Sequence, residues 1–365
     1  MPVSRLSRRL CSLALPLLAS LLSGCNAVVL SPSGDVAAQQ RDLILVATVL
    51  MLLIVVPVMV LTGLFAWHYR HSNAKATYAP EWSHSTQLEL VIWSAPLLII
   101  IALGAVTWIS THTLDPFRKI TRIDADRPVA ANVKPLRVQV VALDWKWLFI
   151  YPDYGIASVN ELAAPVDVPV QFDITSSTVM NAFYVPALAG MIYAMPAMQT
   201  QLHAVINVPG DYEGFSANYS GAGFSGMRFT FKGLSPADFE QWVVGVRRDS
   251  AVLSREVYQQ LEKPSARTPV QHYGQVAEGL YDAILNLCVE PTKMCQRDMM
   301  AIDARGGLGL AGVYNLSRLS YDAVRARDAQ PLAPRDYVSA LCAVGPEVMA
   351  SPALTARAAP ERLVP

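Results

Sequence analysis

The sequence predicts a membrane-anchored protein: a hairpin of two spanning helices, then a small all-β sandwich, then a helical C-terminal extension. Three observations predict it. Leu43 to Trp67 carries no charged residue in 25 positions, and Leu90 to Trp108 none in 19. From Leu136 the texture changes to short segments in which apolar and polar residues alternate. From Ser235 it changes again, to helix starts and amphipathic helical runs.

The front of the chain is a processing signal. Arg5, Arg8 and Arg9 precede a mostly apolar run, Leu10 to Leu22, and then comes Leu22-Ser23-Gly24-Cys25. A basic region, an apolar region and a small-residue site make a leader. An apolar residue and two small ones before a Cys resemble the cleavage site of bacterial lipoproteins. Residues 1–24 are therefore the expected leader, and Cys25 the expected lipidation site, its thiol carrying diacylglycerol and its acyl groups including palmitate. Each buried CH₂ of such a chain contributes roughly 0.8 kcal/mol. Residues 25–42 form the lipidated N-terminal segment.

Residues 43–67 and 88–109 are the expected spans. Each is long enough for a hydrocarbon core of about 30 Å at about 1.5 Å per residue. Trp67, Tyr69, Trp82, Trp93 and Trp108 sit near the edges, as interfacial aromatics do. Pro57 and Pro96 are tolerated in such helices. A lipidated Cys25 lies outside the inner membrane, so the first helix runs inward. The loop 68–87 is then cytoplasmic and everything beyond about Ser110 periplasmic. Residues 110–134 are a linker.

Composition agrees: 53% of residues are hydrophobic and only 16% charged, low for a purely soluble protein. The formal net charge is zero, and loss of the three leader arginines leaves about −3. That charge gives no footprint for a nucleic-acid partner. Among the cysteines of the mature chain, Cys288, Cys295 and Cys342 allow one bridge and a free thiol, and the sequence does not pair them.

The β-domain is placed at 135–233. "LRVQVVAL" sets Leu136, Val138, Val140 and Ala142 out of phase with Arg137 and Gln139, and "VPVQFDIT" and "QLHAVINVPG" alternate likewise. Period-two alternation puts one face inward and the other outward. Seven to nine short antiparallel strands are expected. In "LDWKWLFIYPDYGI", Trp145, Trp147, Phe149 and Tyr151 share one face. Core packing and a docking surface or electron route both fit that run. His203 reads as an ordinary, partly exposed strand histidine.

A helical extension is placed at 234–270. Ser235-Pro236-Ala237-Asp238 is a cap, a first-turn Pro and an acid three residues on. "SREVYQQLEK" is a second helix, ended by Pro264. Residues 271–365 are an additional region, partly helical, with Leu280, Ile284, Leu287 and Cys288 on one side of a helix and a loosely ordered end.

The whole arrangement resembles subunit II of the haem–copper respiratory oxidases, a two-helix hairpin followed by a cupredoxin domain. The resemblance covers about residues 20–275. In members that oxidise cytochrome c, that domain holds a two-copper centre: a His on a strand after "ITS", then Cys, three residues, Cys, Gly, two residues, His, two residues, Met. This chain departs at those positions. "FDITSSTVMNAFYVPAL" places Asn181 at the first His. "FSANYSGAGFSGM" places Ser216 and Ser220 at the two Cys, Asn218 at the Glu between them and Phe224 at the second His. Only Met227 is retained, and a lone thioether is a weak acceptor. The strings "DWKWLFIYP", "IYAMPAMQT" and "YSGAGFSGM" are similar to the copper-free quinol-oxidase branch.

The resemblance implies a proton-pumping complex that oxidises ubiquinol and reduces dioxygen to water. It implies no cofactor on this chain, with haems and copper in subunit I. The implied partners are subunits I, III and IV, membrane lipid and ubiquinol. It implies that Glu89, at the cytoplasmic mouth of the second helix, stands at a proton-pathway entrance of subunit I. An ionisable group at that depth is costly without a partner or an aqueous path, although a helix-terminal Glu is also favoured by the helix dipole. The competing reading is a non-respiratory lipoprotein that uses the same scaffold as a binding or structural module. No haem-attachment Cys-x-x-Cys-His occurs, and "GGLGLAG" lacks the Gly spacing and Lys of a nucleotide loop.

Overall fold

A computed structural model describes residues 27–77, 79–130, 133–290 and 292–304. The leader, Cys25, Cys342 and the chain end lie outside the described residues. Helix α1 spans Asp35–His68 and α2 spans Thr86–Thr113. Both contain their apolar runs and present large apolar side chains outward, among them Leu53, Phe65, Trp93 and Ile101. Helices apolar all round, 34 and 28 residues long, suit a bilayer rather than water. The protein is membrane-anchored. Helix α1 starts eight residues before Leu43, so its first two turns, about 12 Å at the α-helical rise, extend beyond the apolar run.

Those two turns are tied to the β-domain. Ser33 and Gly34 donate their backbone N–H groups to Ala187 O at 3.0 and 2.9 Å. Gly34 bridges Ile206, and a Cβ at Gly34 would fall 2.6 Å from Val205 O and 2.7 Å from Leu188 O. Asp35, 7% exposed, accepts from Arg122 Nε at 2.9 Å and Nη2 at 3.0 Å, and from Gln39 Nε2 at 2.8 Å.

The β-domain begins with β1 (Leu136–Leu143), β2 (Lys146–Tyr151), β3 (Ile156–Val159), β4 (Glu161–Pro165) and β5 (Val170–Ser176). It continues with β6 (Asn181–Tyr184), β7 (Ile192–Ala194), β8 (Thr200–Ala204), β9 (Gly210–Ser216) and β10 (Arg228–Leu234). The extension adds α3 (Pro236–Arg247), β11 (Val252–Leu253), α4 (Arg255–Glu262), β12 (Gln271–Tyr273), β13 (Gln275–Val276), α5 (Leu280–Leu285) and α6 (Gln296–Asp303). One sheet runs β12-β3-β2-β1-β5-β8 and faces a second, β4-β10-β9-β6-β7. The result is a cupredoxin-like sandwich.

Two expectations change here. Ten strands lie between Leu136 and Leu234, not seven to nine, because Asn160, at φ 56°, splits one extended run into β3 and β4, and β7 is too short to show a period. The sheets are also mixed rather than antiparallel: β1 pairs parallel with β5, and β4 with β10. Alternation reports which face a residue takes and says nothing of strand direction.

The first sheet is buried on both faces. Val138, Val140, Trp147, Phe149 and Tyr151 enter the sandwich core, where Trp147, Phe149, Phe183 and Phe229 pack ring to ring at 5.0–5.7 Å. Val141, Leu143, Leu148 and Ile150 point the other way, into a second core with Tyr258, Leu280, Tyr281 and Ile284. The aromatic run is thus core for Trp147, Phe149 and Tyr151. The face predicted to be outward is covered by the extension.

The extension helices start as the sequence indicates. Ser235 Oγ accepts from Asp238 N at 3.2 Å, with Pro236 in the first turn, and Ser254 Oγ accepts from Val257 N at 3.2 Å. Beyond residue 271 the strands β12 and β13 and the short α5 replace one longer helix. Leu280, Ile284 and Cys288 are buried, whereas Leu287, at φ 55° and 39% exposed, leaves the buried side. Cys288 and Cys295 form a disulfide.

Two polar clusters lock the extension to the sandwich. Lys146 is 1% exposed, and its Nζ donates to Asp144 O, Lys263 O and Ser265 Oγ at 3.0, 2.9 and 2.7 Å, which satisfies all three protons. Burial lowers its pKa. Glu161 receives Lys232 Nζ at 2.7 Å, Trp242 Nε1 at 2.8 Å and His272 Nε2 at 2.9 Å. Burial pushes its carboxyl upward, but the bonds from Lys232, Trp242 and His272 together hold it below the ordinary 4.5. A depressed carboxylate stabilises the fold above the unfolded value and loses that contribution as pH falls through the folded one. Glu161→Gln is expected to flatten the fall in thermal stability below pH 4.5, at some cost in stability near neutrality. An acid limb identical to the wild type, read by circular dichroism melts in detergent, would contradict the assignment.

Candidate functional site

At the loop end of the sandwich, β6 and β9 bring together three of the positions at which the resemblance places lost ligands or their neighbour: Asn181, Ser216 and Asn218. Phe183 pairs with Ser216 in the ladder, which sets Asn181 beside the end of β9. Ser216 Oγ lies 3.1 Å from Asn181 Oδ1 and 3.2 Å from Asn218 O, and it accepts from Ala182 N at 3.4 Å. Asn181 Nδ2 donates to Val179 O at 3.1 Å, and Asn218 Nδ2 to Met180 O at 3.1 Å. Met227 is buried in the sandwich core, and its carbonyl accepts from Ser216 N at 3.2 Å. Phe224 opens a short 3₁₀ turn, Phe224–Gly226, and packs edge-on against Tyr219 at 5.6 Å.

Trp145 closes the tip. Its Nε1 donates to Ser220 O at 2.9 Å, and its ring lies on Gly221 and Gly223. A Cβ at Gly223 would come within 2.3 Å of Trp145 Cδ2. Gly221 adopts φ +114°, open to glycine and strained for other residues. Gly221 and Gly223 of "YSGAGFSGM" therefore lie under an indole seated on the loop, which leaves no room for a side chain at Gly223. Sequence reasoning gave Trp145 no such role; the glycine spacing opposite an aromatic strand was the available signal.

These side chains do not fit a copper centre. Soft thiolate and imidazole donors suit copper. Here two hydroxyls, two amides and a phenyl ring occupy the positions; Asn181, Ser216 and Asn218 bond to one another or to backbone. Ser220 Oγ is buried and has no partner among the described residues.

Glu89 lies elsewhere, in the first turn of α2. Its Oε1 is 2.7 Å from His84 Nδ1, and His84 Nε2 is 3.2 Å from Thr86 Oγ1. Both side chains are at least half exposed. His84 stands five residues before Glu89, yet the sequence gave it no role.

His203 is a correction. It is 6% exposed rather than partly exposed. Its Nδ1 lies 3.1 Å from Pro116 O, which also accepts from His203 N, and its Nε2 is buried with no partner among the described residues. The linker covers β8, which alternation along the strand does not reveal.

Two family models match. Residues 156–234 match "Cytochrome C oxidase subunit II, periplasmic domain", and 247–292 match "COX Aromatic Rich Motif". The chain is 50% identical over 266 residues to the cytochrome bo(3) ubiquinol oxidase subunit 2 of Pseudomonas putida, covering 73% of this chain and 82% of that one. The chain belongs to the ubiquinol oxidase subunit 2 family. The protein of that name from Pseudomonas aeruginosa is 48% identical, with 73% of this chain and 78% of that one covered. The ubiquinol oxidase subunit 2 of Acetobacter aceti is also 48% identical, with 73% and 84% covered. The aromatic-rich match carries the family signature to residue 292, beyond the expected 275, and spans most of the second core.

Gly223→Ala is expected to displace Trp145 and destabilise the sandwich by about 1–3 kcal/mol, as overpacking does. A red-shifted tryptophan emission and a lower unfolding midpoint would register it; an unchanged midpoint would contradict the close contact.

Proposed function

We propose that the chain is subunit II of a proton-pumping complex that oxidises ubiquinol and reduces dioxygen to water. The carrying observation is the loop end of the sandwich, where Asn181, Ser216 and Asn218 bond among themselves in place of copper ligands. A subunit so built takes no electron from an external carrier through copper. A membrane quinol supplies electrons directly to the haems and copper of subunit I, which this reading keeps off the present chain. The names of the relatives support the same reading.

In this proposal the chain is lipidated at Cys25 and crosses the inner membrane twice. Its sandwich lies in the periplasm over the outer face of subunit I, in a complex with subunits III and IV. At the opposite end Glu89, paired with His84, feeds a proton pathway of subunit I. The His84–Glu89 contact at the helix mouth sets two groups able to carry a proton side by side. The catalytic share of this chain is then a supporting one.

The complex isolated through this chain in mild detergent is expected to contain haem and a single copper, and to consume oxygen with quinol and not with reduced cytochrome c. Three coppers with cytochrome c-driven uptake would contradict the reading, and no haem with no uptake would favour the lipoprotein module. Glu89→Gln is expected to slow quinol-driven uptake a few-fold, under about 1.4 kcal/mol in barrier, with haem content unchanged. Undiminished uptake and proton release would remove Glu89 from the pathway.

A further inference from the structure

A cavity of about 330 Å³ opens where the hairpin meets the sandwich. Its walls are the first turns of α1, the last turn of α2, the linker around 114–122 and strand β8. We propose that it binds the phosphodiester headgroup of an anionic phospholipid. The inference goes beyond quinol oxidation and rests on the hairpin spanning a bilayer.

Height is the first argument. The charge-free run of α1 begins at Leu43, so Asp35 stands about 12 Å above it; Thr113 stands about 7 Å beyond Trp108 on α2. The polar layer of a bilayer adds about 5–8 Å on each side of the hydrocarbon. The α2 side of the cavity therefore lies within that layer, and the Asp35 side just above it.

Charge is the second. Asp35 is neutralised by its two-pronged pair with Arg122. Asp115, also on the rim, accepts from Phe117 N through Oδ1 at 2.9 Å. Arg118 and Lys119 then leave the rim net positive. Arg118 makes one long bond, Nη1 to His112 O at 3.4 Å, and Lys119 has no side-chain bond or ion pair among the described residues. Both are free to meet a phosphate.

The third is His203. Pro116 O can only accept, so Nδ1 carries a proton. Nε2 is left buried in the cavity's wall with no partner among the described residues. A buried unpaired polar atom is costly, roughly 1–3 kcal/mol. A hydroxyl of a glycerol headgroup donating to Nε2 resolves it. Val36, Ile120 and Leu202, also on the wall, give the glycerol end an apolar rest.

The test uses the whole complex carrying the full-length chain, in nanodiscs of phosphatidylcholine with phosphatidylglycerol titrated in, read by native mass spectrometry. The wild type is expected to retain one phosphatidylglycerol that the Arg118→Gln/Lys119→Gln double variant lacks, with affinity falling about fivefold per cation removed. Both residues are exposed, so this variant folds whether or not His203→Asn does. Equal retention in wild type and double variant would overturn the proposal. Carbodiimide cross-linking of Lys119 to a carboxylate of another subunit, without the lipid, would overturn it in favour of a protein occupant. Millimolar inorganic phosphate displacing the lipid and binding in its place would overturn the lipid source. Other lipids retained by both proteins report the membrane embedding separately.

Discussion

The structure depends on the pair between Asp35 and Arg122. Asp35 sits at the N-terminus of α1, where the helix dipole favours a negative charge, and it is almost wholly removed from water. A buried carboxylate is tolerable only with a partner of good geometry, and the two-pronged guanidinium supplies it. Arg122 belongs to the linker, and Ser33 and Gly34 just ahead of the helix bond to the sandwich. One ion pair thus joins helix to linker, and the backbone bonds beside it join the start of the helix to the outer domain. The sandwich has a fixed seat above the hairpin and does not hang from a loose tether.

A second constraint is the two-faced sheet. Strands β1, β2 and β3 bury one face in the sandwich and the other against the extension. Fully burying a side chain such as Leu148 or Ile150 contributes roughly 1.5–3 kcal/mol, so the extension stabilises the sandwich as one folding unit. Lys146 and Glu161 supply the polar half of that junction, each with every bond met. The disulfide between Cys288 and Cys295 closes a short loop at the rim of the second core.

Much of this was legible in the sequence. Charge-free runs of 25 and 19 residues mark the spans because backbone and charge cannot be left bare in lipid. The cap at Ser235 marks a helix start because its side-chain oxygen satisfies one of the first free N–H groups. The ligand loop was legible through its spacing, and the structure does gather Asn181, Ser216 and Asn218. What escaped was long-range. Nothing near Val141 or Leu148 in sequence indicates that an extension more than a hundred residues later covers them. His203 looks exposed until the linker is seen lying on it. The role of Trp145 required knowing that a loop some 75 residues on would fold beneath its ring.

At the loop end of the sandwich Asn181 and Ser216, which stand at ligand positions of the two-copper centre the chain resembles, bond to each other. The proposal that this end is a metal site without its ligands is tested most directly by copper binding after restoring the soft donors. The variant is the full chain with Asn181→His, Ser216→Cys, Ser220→Cys and Phe224→His, Met227 left in place. About two coppers per chain are expected, as the resemblance to the two-copper centre requires, with the fold intact. A folded variant that binds no copper would contradict it, because the backbone frame would then differ from that of a metal-holding sandwich.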